Sequence, residues 1–223
     1  CAVAWGAGAK LGFVLGITLG LTACVSSSIE QIRHTKTGTP VTKTESVVIL
    51  GRRQHNNHET ENSFLECVSD ELNDGQMSVI SEKKFQDQMF PWFEPRVAPL
   101  TTDSLPRLIA QEAVAERLRQ TGVRYIVWLD GTTEDGDNGG SMSCAAGPAG
   151  GGCLGLLWWE KNAAYEASIW DMHNSESVGK VSVDAKGTSY VPAFIIPIPL
   201  IARTQSAACD GVANQVREFL QTG

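Results

Sequence analysis

A chain of 223 residues with 42% hydrophobic side chains suits one globular domain with short appendages, and it holds enough apolar material for a core. Its 18 basic and 25 acidic residues leave a formal charge of −7, and no stretch is rich in lysine or arginine. That balance excludes a nucleic-acid binder that works by neutralising phosphates.

Residues 1–24, CAVAWGAGAKLGFVLGITLGLTAC, carry one charge, Lys10, followed by thirteen uncharged residues before Cys24. The run is short for a membrane span, which needs about 20 residues, and has the length of a signal-peptide apolar region. Its end, Leu21-Thr22-Ala23-Cys24, resembles the lipobox of bacterial lipoproteins. The resemblance implies that residues 1–23 are a signal peptide cleaved before Cys24, whose sulfur receives the lipid. Val25 in place of Asp then implies sorting to the outer membrane, with the domain facing the periplasm. An ordinary signal peptide or an amino-terminal anchor helix is the alternative. The sequence opens on Cys1 rather than Met, which points to a start further upstream.

Residues 24–45 are rich in Ser and Thr without an apolar period and read as a lipidated tether, with a mean reach of roughly 25 Å as a flexible coil. The globular domain is expected over 46–223. Ser46-Val-Val-Ile-Leu-Gly51 reads as a buried strand. Ser63 and Glu66 suit a capping box for a helix that presents Phe64, Cys67, Val68 and Leu72 and stops at Gly75. MSVISEKKF follows as a strand, then a Pro-broken loop. One helix is expected from Asp103 to Gly122, with Pro106 in its first turn. VRYIVWL is apolar on both faces, as a central strand would be. AYEASIWDMHNSESVGKVSVDAKG reads as a hairpin with one wet face, and the apolar run 191–202 as a cover broken by Pro192, Pro197 and Pro199. That run serves as core or as an apolar patch offered to a partner. A last helix spans about 204–221. The expected class is α+β: a mixed sheet with helices packed on it, in the order β-α-β-α-β-β-β-α, interrupted by a glycine-rich, disulfide-stapled insertion.

That order, with TGVRYIVWL after the second helix and a hairpin carrying Trp170-Asp171-Met172 and Val178-Gly179-Lys180, resembles the β/α domain of the curli-secretion pore subunits. The amino-terminal domain of the Tol-system propeller protein shares it. The resemblance covers about residues 46–221 and carries over no site residues. It implies an envelope-assembly role and admits a homo-oligomeric ring whose contacts lie in 131–159 or 191–202.

The insertion GTTEDGDNGGSMSCAAGPAGGGCLGLLWW, residues 131–159, holds nine glycines. It lacks the Gly-Lys-Ser/Thr of a P-loop, and its glycines do not open a helix as a dinucleotide fold requires. Asp135, Asp137 and Gly140 begin a calcium-loop pattern, but Gly139 replaces a ligand and Ala146 stands where the bidentate Glu belongs. The insertion is therefore expected to be mobile at its acidic end and held by its cysteines. His55 and His58, with Glu59 and Glu61 nearby, have a spacing that can share a metal but sit in a polar turn without a third ligand. His173 is expected to be solvated in the hairpin turn. Asp130, Glu134 and Asp171 are scattered carboxylates, best read as a solvated rim, and no GxSxG elbow is present. Trp158, Trp159 and Trp170 suit packing better than ligand stacking.

With Cys24 lipidated, Cys67, Cys144, Cys153 and Cys209 remain in an exported domain, and four cysteines allow three pairings. The glycines and Pro148 between Cys144 and Cys153 favour that pair, which leaves Cys67 with Cys209 and requires the first and last helices to be neighbours. The functional expectation is a lipid-anchored outer-membrane protein with a binding or assembly role, without catalysis, cofactor or nucleic acid, and with an envelope protein or another copy of itself as partner. The rival class is a small periplasmic hydrolase or metal-dependent enzyme built on the insertion and the His55/His58 loop.

Overall fold

The run Ser46–Gly51 forms strand β2, and its alternating side chains are buried on both faces. Val47 and Ile49 join one hydrophobic cluster, Val48 and Leu50 a second. A strand covered on both sides has to sit inside a three-layer arrangement, and the computed structural model has this form. It describes residues 25–33, 40–52, 59–73, 77–94, 96–99, 101–147, 150–193 and 203–222. Signal peptide, Cys24, His55, His58, Pro148, Pro197 and Pro199 lie outside them.

One six-stranded mixed sheet runs in the order β1-β6-β5-β4-β2-β3. The strands are β1 (Val25–Arg33), β2, β3 (Ser78–Ile80), β4 (Val123–Gly147), β5 (Gly150–Asp171) and β6 (Glu176–Ala193). β2 is parallel to β3 and β4, and the remaining pairs are antiparallel. Helices α1 (Asn62–Leu72) and α5 (Thr204–Thr222) cover one face, burying Phe64, Val68, Val212 and Val216 against Val127, Ala167 and Val183. The other face carries α2 (Glu82–Gln88), α3 (Leu105–Ile109) and α4 (Glu112–Thr121), whose Phe85, Leu105 and Leu118 pack on Ile126, Trp128 and Trp170. Across β5 and β6 that second face is left to polar residues such as Glu166, Lys180 and Asp184. Among the described residues no helix is long and apolar enough to cross a membrane.

The α+β class and mixed sheet stand, but the element order differs from the sequence expectation in four ways. The Ser-rich stretch read as tether contributes β1, paired antiparallel with β6 from Val25↔Gly187 to Arg33↔Gly179. A sheet-edge strand is held by its backbone ladder and stays soluble by being polar, so hydropathy gives no sign of it. The expected strand MSVISEKKF ends at Ile80, because Ser81 accepts from Lys84 N and caps α2. The expected single helix over 103–122 breaks at Gln111, which is extended. Its buried residues Leu105, Ile109, Val114 and Leu118 include one five-residue step, about 140° off the helical face, and the break restores the register. Finally, the glycine-rich insertion is strand throughout its described part: β4 and β5 run as one antiparallel hairpin from Tyr125↔Asp171 to Gly147↔Gly150.

Two disulfides close the structure. Cys67–Cys209 joins α1 to α5, with Cα atoms 6.3 Å apart and a sequence separation of 142. Cys144–Cys153 crosses the hairpin, with a sequence separation of 9. In the chain-entropy model the long loop contributes about 5 kcal/mol and the short one about 2.6 kcal/mol. Replacing Cys67 and Cys209 together by Ala should therefore lower unfolding stability in urea by roughly twice as much as replacing Cys144 and Cys153. Equal losses from the two double variants would contradict this.

Candidate functional site

β2 ends at Gly51↔Leu129 and β1 begins at Val25↔Gly187, so beyond these points only β4, β5 and β6 continue. They form a three-stranded arm that leaves both helical layers behind. On β5 the arm carries Leu154, Leu156 and Trp158 towards one face and Leu157 and Trp159 towards the other. Met142 is 65% exposed, Leu154 61% and Leu157 50%, and Leu156 and Tyr190 are also exposed. Large apolar side chains thus stand in solvent on both faces of one projection, the kind of surface that marks an interaction site.

The glycines explain how this stretch can be strand. Gly139 pairs with Trp158 and Gly140 with Leu157, and a Cβ on either glycine would meet the partner's side chain, at 3.0 Å from the Trp158 Nε1 and 2.4 Å from the Leu157 Cδ2. Bulky residues of β5 lie across a bare β4 backbone, as aromatic side chains do over strand glycines. The pattern that suggests a loop in β4 alone is one half of a cross-strand packing pair.

The arm is fixed at its base. Glu61, just ahead of α1, accepts from Thr133 N at 2.8 Å and from the Tyr165 hydroxyl at 2.9 Å. The Thr133 Oγ1 donates to that hydroxyl at 2.8 Å. The Tyr165 ring stacks on Phe64 with centroids 3.5 Å apart. Opposite Tyr165, Gly131 has φ 140° and a Cβ there would lie 2.1 Å from the Ala164 carbonyl, so only glycine fits. The expected Ser63/Glu66 capping box does not form, because α1 starts two residues earlier, at Asn62 with Glu61 in the N-cap position, and Glu61 spends its carboxylate on the arm. Burial, reinforced by the Glu61 carboxylate and opposed by hydrogen bonds from Thr133 and Gln205, pushes the Tyr165 phenol up to about 12.

The other residues singled out in the sequence do not converge. Asp135 leaves the calcium pattern to pair with Lys161 at 3.0 Å. Asp130 pairs with Arg52 at 3.0 Å. Asp171 is buried at the far end of the sheet, where Arg124 donates to it at 2.9 Å and to Glu45 at 3.3 Å. His173 is not simply solvated, since its Nδ1 accepts from Arg124 Nη1 at 2.6 Å. Among the described residues no group of three or more His, Cys, Asp or Glu is arranged to hold a metal. Trp158 and Trp159 belong to the arm, and Trp170 packs in the core beside Trp128.

No protein-family model matches the chain, and no curated protein matches it. Among solved structures the chain is similar to the PelC dodecamer from Paraburkholderia phytofirmans, at 13% identity and a TM-score of 0.40, over 89% of this chain and 100% of that one. A leucine-to-methionine variant of that dodecamer, in another space group, gives the same identity and score over 88% and 99%. A homologue of a neuraminyllactose-binding hemagglutinin from Helicobacter pylori is 11% identical with a TM-score of 0.42, over 84% of this chain and 91% of that one.

The arm base makes a pH-dependent prediction. The folded-state pKa of Tyr165 lies above its unfolded value of 10.0, so its contribution is fully present below pH 10 and is lost as the pH rises through 12. Tyr165→Phe should lower stability at neutral pH by about 1.5–3 kcal/mol, the scale of one hydrogen bond to a charged group, because one Glu61 oxygen loses its donor. It should also flatten the alkaline fall in stability. Denaturant melts between pH 8 and 12 check both, and parallel pH profiles for the two proteins would refute the assignment.

Proposed function

We propose that this chain is a lipid-anchored protein of the outer membrane, facing the periplasm, that works by binding or assembly through its arm and not by catalysis. The observation that carries the reading is where the two membrane-relevant features meet. Val25, the residue after the lipobox cysteine, pairs with Gly187, and Gly187 pairs with Lys161 at the root of the arm. β1 runs away from the arm, so its first residue is at the arm end of the sheet. From Lys161 to Gly150 the arm extends roughly 35 Å at strand rise. An exposed apolar projection beginning level with the anchor point suits a contact made at or close to the membrane surface.

A second reading, self-association into a ring, is favoured by the arm's two open edges. Beyond Leu129 the outer edge of β4 has no strand partner among the described residues, and beyond Gly187 neither does that of β6. The two edges lie on opposite sides of the arm, so joining one chain's β4 to the next chain's β6 is a head-to-tail contact that closes into a ring or continues as a filament.

Three outcomes are expected. Cys24→Ser abolishes radiolabelled palmitate incorporation in cells, and continued labelling sinks the anchor assignment. A photo-crosslinking residue at Leu156 captures lipid or protein in intact envelopes while the same residue at Asp184 does not. Equal yields at the two positions would remove the arm as the contact element. Light scattering of the detergent-solubilised chain separates the readings: a mass of several chains favours the ring, and a single chain favours binding of a different partner.

A further inference from the structure

A recess of about 440 Å³ opens between Thr133 and Lys161 of the arm and Arg203, Thr204, Gln205 and Ser206 at the start of α5. The first backbone bond of this 19-residue helix runs from Ala207 N to the Arg203 carbonyl. The amides of Thr204, Gln205 and Ser206 therefore precede any helical acceptor, and none of them finds a backbone acceptor among the described residues. A second observation is independent of the helix end. Thr204 is 2% exposed, lines the recess, and has a hydroxyl without a hydrogen-bond partner among the described residues. Native structures rarely leave such a group unsatisfied, and Thr204 is one of the residues that line the recess.

The charges agree. Arg203 is exposed at the rim. Lys161 is 45% exposed and paired with the still more exposed Asp135, an interaction weak enough to be exchanged. Among the described residues Glu61 is the one carboxylate lining the recess, and both its oxygens are occupied, by Thr133 N and by the Tyr165 hydroxyl. What remains is a donor-rich concavity with two cations and the positive end of a helix dipole.

We propose that this recess binds a phosphate-type oxyanion, either the phosphoryl group of a lipid head group or free phosphate. The first-turn amides of α5, the Thr204 hydroxyl, Arg203 and Lys161 hold it. Donors arriving from the helix on one side and the arm on the other suit a tetrahedral anion with several acceptor oxygens better than a planar carboxylate. The lipid source rests on the membrane-facing reading given above, because Lys161 is level with Gly187 and Val25; the oxyanion site itself does not.

The test is titration calorimetry on the full lipidated chain in a nonionic detergent, with inorganic phosphate and, separately, dihexanoyl phosphatidylglycerol as probes. Wild type should bind both. Arg203→Ala and Thr204→Val should each weaken binding by about tenfold, the scale of one charge-assisted hydrogen bond. Arg119→Ala, which removes an exposed arginine paired with Glu116 on α4, should change nothing, and thermal melts report whether each variant is folded. Binding of inorganic phosphate alone, with the same losses, supports the site, assigns it to free phosphate and withdraws this support from the membrane-facing reading. Absence of heat with both probes, or unchanged affinity in folded Arg203→Ala and Thr204→Val, overturns the proposal.

Discussion

The architecture depends on the register of one strand. β5 is paired with β4 over nearly its whole length and with β6 from Gly155 to Asp171, so it is both the centre of the body and the spine of the arm. In the body Ala163, Tyr165, Ala167 and Ile169 turn towards α1 and α5. Further along the same strand Leu154, Leu156 and Leu157 are exposed. A slip of one residue would turn every side chain to the opposite face. Tyr165 would lose Glu61 and Phe64, Lys161 would leave the recess beside α5, and the core would receive Glu166 and Ser168.

That register is held at both ends by polar contacts of different character. At the arm base a single carboxylate, Glu61, ties the start of α1 to β4 and β5 together. At the far end Arg124 is almost wholly enclosed and donates to Asp171, whose other oxygen accepts from the His173 amide at 2.9 Å. Burial works against the charge of Glu45 there, but hydrogen bonds from Thr42 and the Arg124 guanidinium outweigh it and hold the carboxyl below the ordinary carboxylate range. Buried charges cost stability unless they are paired and bonded, and Arg124 is paired with both Asp171 and Glu45. Between the two ties the sheet is apolar on the α1/α5 side, and Cys67–Cys209 locks those helices to each other.

Some of this was legible in the sequence because it follows from local periodicity and cysteine parity. The apolar run at 46–51 reads as a buried strand and that at 123–129 as a central one, and the polar turn at Met172–Ser175 separates two strands. Other features are non-local. β1 has no apolar signal, since an edge strand is stabilised by the backbone of β6 and kept polar on its outside. The glycines of β4 suggest a loop until Trp158 and Leu157 are seen lying across Gly139 and Gly140. Glu61 reads as a possible neighbour of His55 and His58, and nothing in its local sequence connects it with Tyr165, 104 residues away. Tyr165 gives one hint, an amphipathic ring at an inward position of β5, where a buried hydroxyl requires a partner. The recess beside α5 gives none, because a helix without a capping side chain before it looks like any other helix start.

Residues 131–147 and 150–161 form an ordered extension of the sheet that projects from the body. Hydrogen–deuterium exchange on the full chain, resolved to single amides, tests it most directly. β5 amides from Gly155 to Lys161 have a strand on either side and should be protected nearly as well as those of Ala167 and Ile169 in the body. Along β4 from Gly139 to Ala146 protection should alternate, because every second amide of an edge strand points away from its partner. Uniformly fast exchange across 131–161, as in a glycine-rich loop, would contradict the account.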